Sequence, residues 1–260
     1  MAATLNHVFY GWYPYIALTV FLLGSLVRYD REPYTWRSGS SQLLRRRQLA
    51  MGSILFHVGI LIIFLGHAVG LLMPVAVFEA LGISKLAKQL MAIVVGGVAG
   101  IVCLIGLLIL THRRLFDARI RATSSTGDIA ILLLLLAQLL LGLATIPLSL
   151  GHLDGKEMVR FMSWAQAIVT LQPGASAYVA DAHPIFKMHL LLGMTIFLVF
   201  PFTRLVHVWS APVWYLGRRG YQVVRRAGDG PRSKPQRTVP IDRPAASPAG
   251  VITSIVKPAE

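Results

Sequence analysis

Eight histidines are spread through the 260 residues, and four of them stand where an imidazole is costly. His57 and His67 lie in ILFHVGILIIFLGHAVG, and His189 and His207 lie in MHLLLGMTIFLVFPFTRLVHVW. A neutral imidazole at lipid depth needs partners for both ring nitrogens, and these stretches hold few polar neighbours. Iron or another metal ion would satisfy them. The other four, His7, His112, His152 and His183, fall at the ends of apolar runs or between them and need no special account.

The remaining inventory narrows the chemistry. A single cysteine, Cys103, excludes an internal disulfide, a CxxC redox pair, and any cysteine-ligated cluster or zinc site within the chain. The apolar runs that carry the histidines hold no Asp or Glu. A metal-ion transporter or a proton pump would ordinarily place carboxylates there. An interhelical hydrogen bond is the plain reading of any one such histidine, but four together ask for more.

The elements that must position these residues follow from composition. The chain is 55% hydrophobic and 14% charged, with a mean hydropathy of +0.63, which does not describe a soluble core. Five runs of roughly the 20 residues needed to cross a bilayer are nearly free of charge. They cover residues 10–27, 49–78, 89–111, 129–150 and 184–209, and Trp12, Tyr13, Tyr15 and Tyr29 flank the first as an interfacial belt. Lys187 and Arg204 lie near the ends of the last, where their stems can snorkel outward. The expected fold is an all-α membrane bundle of five transmembrane helices. The first eleven residues carry no Lys or Arg, so the first run reads as a retained helix rather than a cleaved signal.

Charge then orients the bundle. The net charge of +14 would suggest nucleic-acid binding in a soluble protein, but 20 of the 25 Lys and Arg fall in connections on one side. Arg28, Arg31, Arg37, Arg45, Arg46 and Arg47 follow the first run, and Arg113, Arg114, Arg119 and Arg121 follow the third. By the positive-inside rule the N-terminus is periplasmic and the C-terminus cytoplasmic, and no nucleic-acid partner is expected. Residues 1–226 read as the membrane domain and 227–260 as a disordered, basic, Pro-rich cytoplasmic tail able to touch lipid headgroups. Gly96 and Gly100 form a GxxxG in the third run, with Gly97 and Gly106 nearby, and read as close helix packing.

Oriented this way, His67 and His189 share the outer depth, and His57 and His207 the inner. Paired histidines at two depths on antiparallel helices are what two b-type haems with bis-imidazole ligation require. The spacings do not match on straight helices: 18 residues from His189 to His207 span about 27 Å, whereas the 10 from His57 to His67 span about 15 Å with a swing of roughly 80°. Tilt, or a kink at Pro201, is needed to absorb the difference.

The segments GWYPYIALTVFLLGSLVRYD, LFHVGILIIFLGHAVGLL, HRRLFDARIRATSSTGD, SWAQAIVTLQPGAS and KMHLLLGMTIFLVFPFTRLVHVWSAPVWYL resemble the gamma subunit of respiratory nitrate reductase, a membrane dihaem cytochrome b. The resemblance runs from about residue 7 to 221. It implies a distal haem on His67 and His189, a proximal haem on His57 and His207, and a quinol site beside the distal haem on Gly66, His67 and Lys88. It also implies that Arg114 lies near the proximal haem, where a guanidinium suits a propionate. The implied role is oxidation of menaquinol or ubiquinol near the periplasmic face of the inner membrane. Electrons would pass through the distal and then the proximal haem to an iron–sulfur beta subunit and a molybdenum-containing alpha subunit, contributing to proton-motive force. Asp154 and Glu157, in HLDGKE, could accept the released protons. Two other readings stay open: a haem-binding structural anchor without quinol chemistry, and a quinol oxidase feeding a different soluble reductase such as a sulfur-cycle enzyme.

Overall fold

The computed structural model describes residues 2–32 and 44–210, which are all-helical without a strand among them; the Pro-rich tail lies outside these residues. The order is α1 (Ala2–His7), a π-helical turn (Val8–Trp12), α2 (Tyr13–Arg31), α3 (Arg46–Leu72), α4 (Val75–Ala80), α5 (Lys85–Phe116), α6 (Ala118–Ala122), α7 (Thr126–Leu150), α8 (Lys156–Val169) and α9 (Pro184–Val199). Short 3-10 turns cover Ala175–Val179, Phe200–Phe202 and Arg204–Ser210. Five stretches are long and apolar enough to cross a membrane: Ala3–Arg31, Arg46–Leu72, Lys85–Phe116, Thr126–Leu150 and Pro184–Phe202. Their outward faces carry bare Leu, Ile, Val and Phe, as lipid contact requires, with Leu61 and Leu65 each 64% exposed.

Local chemistry sets where the helices begin and end. Ser84 accepts from the Ala87 N–H at the start of α5, and Ser125 and Asp128 form a capping box at the start of α7. Such caps contribute about 1 kcal/mol each. His183 accepts from the Ile185 N–H ahead of Pro184 at the start of α9. The last carbonyls of a helix have no partner within it, and bare ones cannot face hydrocarbon. Gln166 donates to the carbonyls of Leu71 and Met73 at the end of α3, and Gln89 to those of Ser149 and His152 at the end of α7.

The second run, expected to continue to residue 78, ends at Leu72. Pro74 disfavours helical backbone at Met73, which is extended at ψ 127°, and the chain restarts as the separate helix α4. The fifth run, expected to reach 209, leaves the α-helix at Val199. Pro201 has no N–H to continue the ladder, and Thr203 is extended at φ −119° and ψ 177°. His207 therefore sits on a 3-10 turn rather than on α9. The connection 151–187 contains an amphipathic helix, α8, which buries Met162, Trp164, Ala165, Ala167 and Ile168 and covers one end of the bundle. The Trp164 indole N–H donates to the Tyr10 carbonyl and ties α8 to the start of the chain.

The long helices pack in the order α3, α5, α7, α9, α2. The tightest crossing joins α3 to α5. A Cβ on Gly106 would lie 2.3 Å from the Phe56 nitrogen, and one on Gly59 would lie 2.6 Å from the Cys103 Cβ. The expected GxxxG pair does not act as a unit: Gly100 faces Leu143 on α7, while Gly96 faces open space.

Candidate functional site

α3 and α9, with the 3-10 turn beyond it, bring the four lipid-depth histidines together in two pairs. His67 and His189 have ring centres 6.1 Å apart, and His57 and His207 have theirs 6.2 Å apart. A metal ion sits about 2.0–2.1 Å from an imidazole nitrogen, and the ring centre lies about 1.1 Å behind it, so two rings on one ion are about 6.2–6.4 Å apart. Both pairs fit one ion each. Among the described residues no group of three or more His, Cys, Asp or Glu could hold a metal by itself. Two imidazoles leave the ion's other ligands to come from elsewhere, as the macrocycle supplies them in haem.

The ring nitrogens agree with this. Nδ1 of His57 lies 2.7 Å from the Ser53 carbonyl, Nδ1 of His67 2.8 Å from the Ile63 carbonyl, and Nδ1 of His207 2.6 Å from the Arg204 carbonyl. A carbonyl only accepts, so each Nδ1 carries the proton and each Nε2 presents its lone pair outward, the form a metal ligand needs. His189 differs. Its Nδ1 is buried without a hydrogen-bond partner, and its Nε2 lies 3.5 Å from the Gln138 amide nitrogen, which donates to the His189 carbonyl at 3.1 Å. α7 and α9 interlock here: a Cβ on Gly142 would meet the His189 ring at 3.1 Å, and one on Gly193 would meet the Gln138 amide at 3.2 Å.

Lys88 is 5% exposed and does not snorkel. Its ammonium donates to the Gly70 carbonyl at 3.0 Å and contacts the Met162 sulfur at 2.8 Å, and it sits 3.8 Å above the Phe78 ring. Gly70 is one helical turn beyond His67, so Lys88 belongs to the His67–His189 end. A cavity of about 10 Å³, roughly one water, adjoins it between Phe78, Glu79, Met158 and Met162. A side chain on Gly66 or Gly70 would meet nothing within 4 Å, so this face of α3 is clear beside His67.

Arg114 lies at the opposite end and pairs with Asp128 at 3.2 Å, which Arg204 also approaches at 3.4 Å. Two guanidiniums around one carboxylate leave a net positive site near His207. Asp154 is engaged as well: the Lys156 backbone N–H, and then its ammonium at 3.1 Å, hold the carboxyl below the usual range. Glu157 pairs with Arg160 at 3.1 Å.

Gln138, Met162 and Phe78 went unnoticed in the sequence. Only Gln138 carried a signal, as the lone amide within ILLLLLAQLLLGLAT.

The family model described as nitrate reductase gamma subunit matches residues 6–227. The chain is 53% identical to the respiratory nitrate reductase 1 gamma chain of Escherichia coli (strain K12), over 85% of this chain and 97% of that one. It is 54% identical to the respiratory nitrate reductase 2 gamma chain of the same strain, over 86% and 99%. It is 44% identical to the nitrate reductase gamma chain of Bacillus subtilis (strain 168), over 85% and 98%.

Proposed function

Because the chain belongs to the nitrate reductase gamma-subunit family, a membrane component of an oxidoreductase complex, we propose that it oxidises quinol at its His67–His189 end and delivers the electrons at its His57–His207 end. The observation that carries this reading is the double pairing of histidines at 6.1 and 6.2 Å, each pair joining α3 to the fifth span at a different depth. Two b-type haems on these pairs would supply one-electron transfer across the bilayer to an iron–sulfur beta subunit serving a molybdenum-containing alpha subunit.

The chain's own residues do the rest. Nδ1–H bonds to Ser53, Ile63 and Arg204 orient three of the four rings. Lys88 has three N–H donors, of which two contacts occupy part, and it offers the quinol oxygen a charge-assisted bond beside Gly66 and His67. Arg114, which pairs with Asp128 at 3.2 Å, would offer a propionate of the inner haem a charge-assisted hydrogen bond. The basic residues Arg28, Arg31, Arg45, Arg46, Arg113, Arg114, Arg119 and Arg121 share the His57–His207 end, which supports placing that end in the cytoplasm and the quinol end at the periplasmic face. Protons would be released at the outer face, and each electron moved inward would do work of up to about 2.3 kcal/mol per 100 mV against a potential negative inside.

The test is reduction of the purified chain by menaquinol or ubiquinol, followed in the haem absorption bands. Wild-type protein reduces. Lys88→Ala keeps its haem and loses the quinol-driven reduction; unchanged reduction in that variant would remove Lys88 from the site.

A further inference from the structure

α2 contributes none of the four histidines, yet one stripe of it grips the chain where the fifth span breaks. Phe21, Gly24 and Arg28 stand at i, i+3 and i+7, a single helical face. Each touches the break. The Phe21 ring meets Phe197, Phe200 and Trp209 at 5.2, 4.9 and 5.6 Å, residues before, within and after it. Gly24 lies under Pro201 itself: a Cβ there would be 2.8 Å from the proline Cγ and 2.9 Å from its Cβ. Arg28 donates to the Pro201 carbonyl at 2.6 Å and to the Thr203 carbonyl at 3.0 Å. Those carbonyls lie just past the point where the α-helix has stopped, and at lipid depth they need donors.

The break matters because it sets the position of His207. Arg204–Ser210 carries this histidine, whose Nδ1–H returns to the Arg204 carbonyl one residue past the gripped carbonyl of Thr203. A continuous helix would carry His207 too far along the axis to face His57, since 18 residues rise about 27 Å and the partner spacing only about 15 Å. At the observed break the chain leaves the α-helix before His207, and the ring centres meet at 6.2 Å.

We propose that Phe21, Gly24 and Arg28 are positioning residues for His207: α2 holds the Pro201 break in the shape that presents the His207 imidazole to His57. The inference rests on the haem reading of the histidine pairs.

The experiment uses the full chain in membranes with its co-expressed partner subunits, and a redox titration that resolves the two haems. Loss of one signal in His57→Ala and of the other in His67→Ala assigns them. In Gly24→Leu the signal assigned to His57 and His207 is lost or shifts in potential, while the other keeps its potential and amplitude. Gly24→Ala produces the same selective shift on a smaller scale and serves where the leucine variant does not accumulate. Arg28→Ala shifts the same signal, and Arg28→Lys, which retains a cationic donor, moves it back toward wild type. Equal changes in both signals would reduce α2 to general packing, and no change in either would leave His207 positioned without it; each overturns the inference. If His57→Ala and His67→Ala remove no haem, the haem reading fails and the inference falls with it. If they do and the α2 variants move both signals together, the inference alone fails.

Discussion

The His207 imidazole meets that of His57 at 6.2 Å across two stretches of chain whose residue counts do not match. Ten residues separate the histidines on α3, and 18 separate those of the fifth span. The reconciling feature is the departure from α-helix at Val199, through Pro201, to the turn Arg204–Ser210. The His57–His207 pair thus forms beyond a proline that ends a membrane helix early.

At the other pair, His189 has no carbonyl on its own helix holding its Nδ1, and Gln138 is the side-chain amide beside its ring. Gln138→Leu removes the amide that donates to the His189 carbonyl beside its ring, and is expected to weaken haem binding at the His67–His189 site several-fold. Haem titration of the apo-chain measures this, with the His57–His207 site as the unchanged reference.

Met162 and Phe78 hold the Lys88 ammonium from two sides. Met162→Ala is expected to raise KM for quinol several-fold at constant haem content, because Lys88 is then free to leave its position. Met162→Leu restores the volume without the sulfur contact and is expected to fall between. Steady-state quinol oxidation separates the three.

Gly106 and Gly96 make a paired test on one helix. Gly106→Ala places a carbon 2.3 Å from the Phe56 nitrogen, next to His57, and is expected to cost at least the 1–3 kcal/mol typical of overpacking. Gly96→Ala meets nothing and is expected to be neutral or slightly stabilising, since alanine favours helix by about 1 kcal/mol. Thermal unfolding in detergent, read with haem retention, gives the order.

Asp117 caps α6 and links it to Arg45. The Ile120 backbone N–H, and then the Arg45 guanidinium at 2.5 Å, hold its carboxyl below the ordinary range. Its folded value is lower than its unfolded one, so its contribution is complete above the unfolded value, near pH 4, and is lost as pH falls through the folded value. Hydrogen exchange at the Ile120 amide is expected to quicken only under acid conditions, and Asp117→Asn to remove that dependence.

Much of this was legible before any coordinates. Long uncharged runs have few alternatives to membrane helices, and intramembrane histidines announce themselves because so little around them can satisfy an imidazole. The pairing of His57 with His207 and His67 with His189 followed from depth alone. What was hidden depends on contacts between distant parts of the chain. α8 mixes polar and apolar residues and reads as a connection until its apolar face finds Tyr10 and Leu71. Lys88 stands at the edge of the third run, and its burial shows only once Met162 of α8 lies against it. GxxxG spacing marks where helices can approach, not which of them do, and the close approach fell instead on Gly59 and Gly106. Pro201 was visible as a kink, but the contacts that Gly24 and Arg28 make with it, from 173 or more residues away in sequence, were not.

Haem content per chain tests the central claim most directly, measured as the pyridine haemochrome of the purified protein and of its four single histidine-to-alanine variants. Two b haems are predicted in the wild type. His57→Ala and His207→Ala must each lose the same one, and His67→Ala and His189→Ala the other. A wild-type content other than two, or variants of one pair that lose different haems, would contradict it.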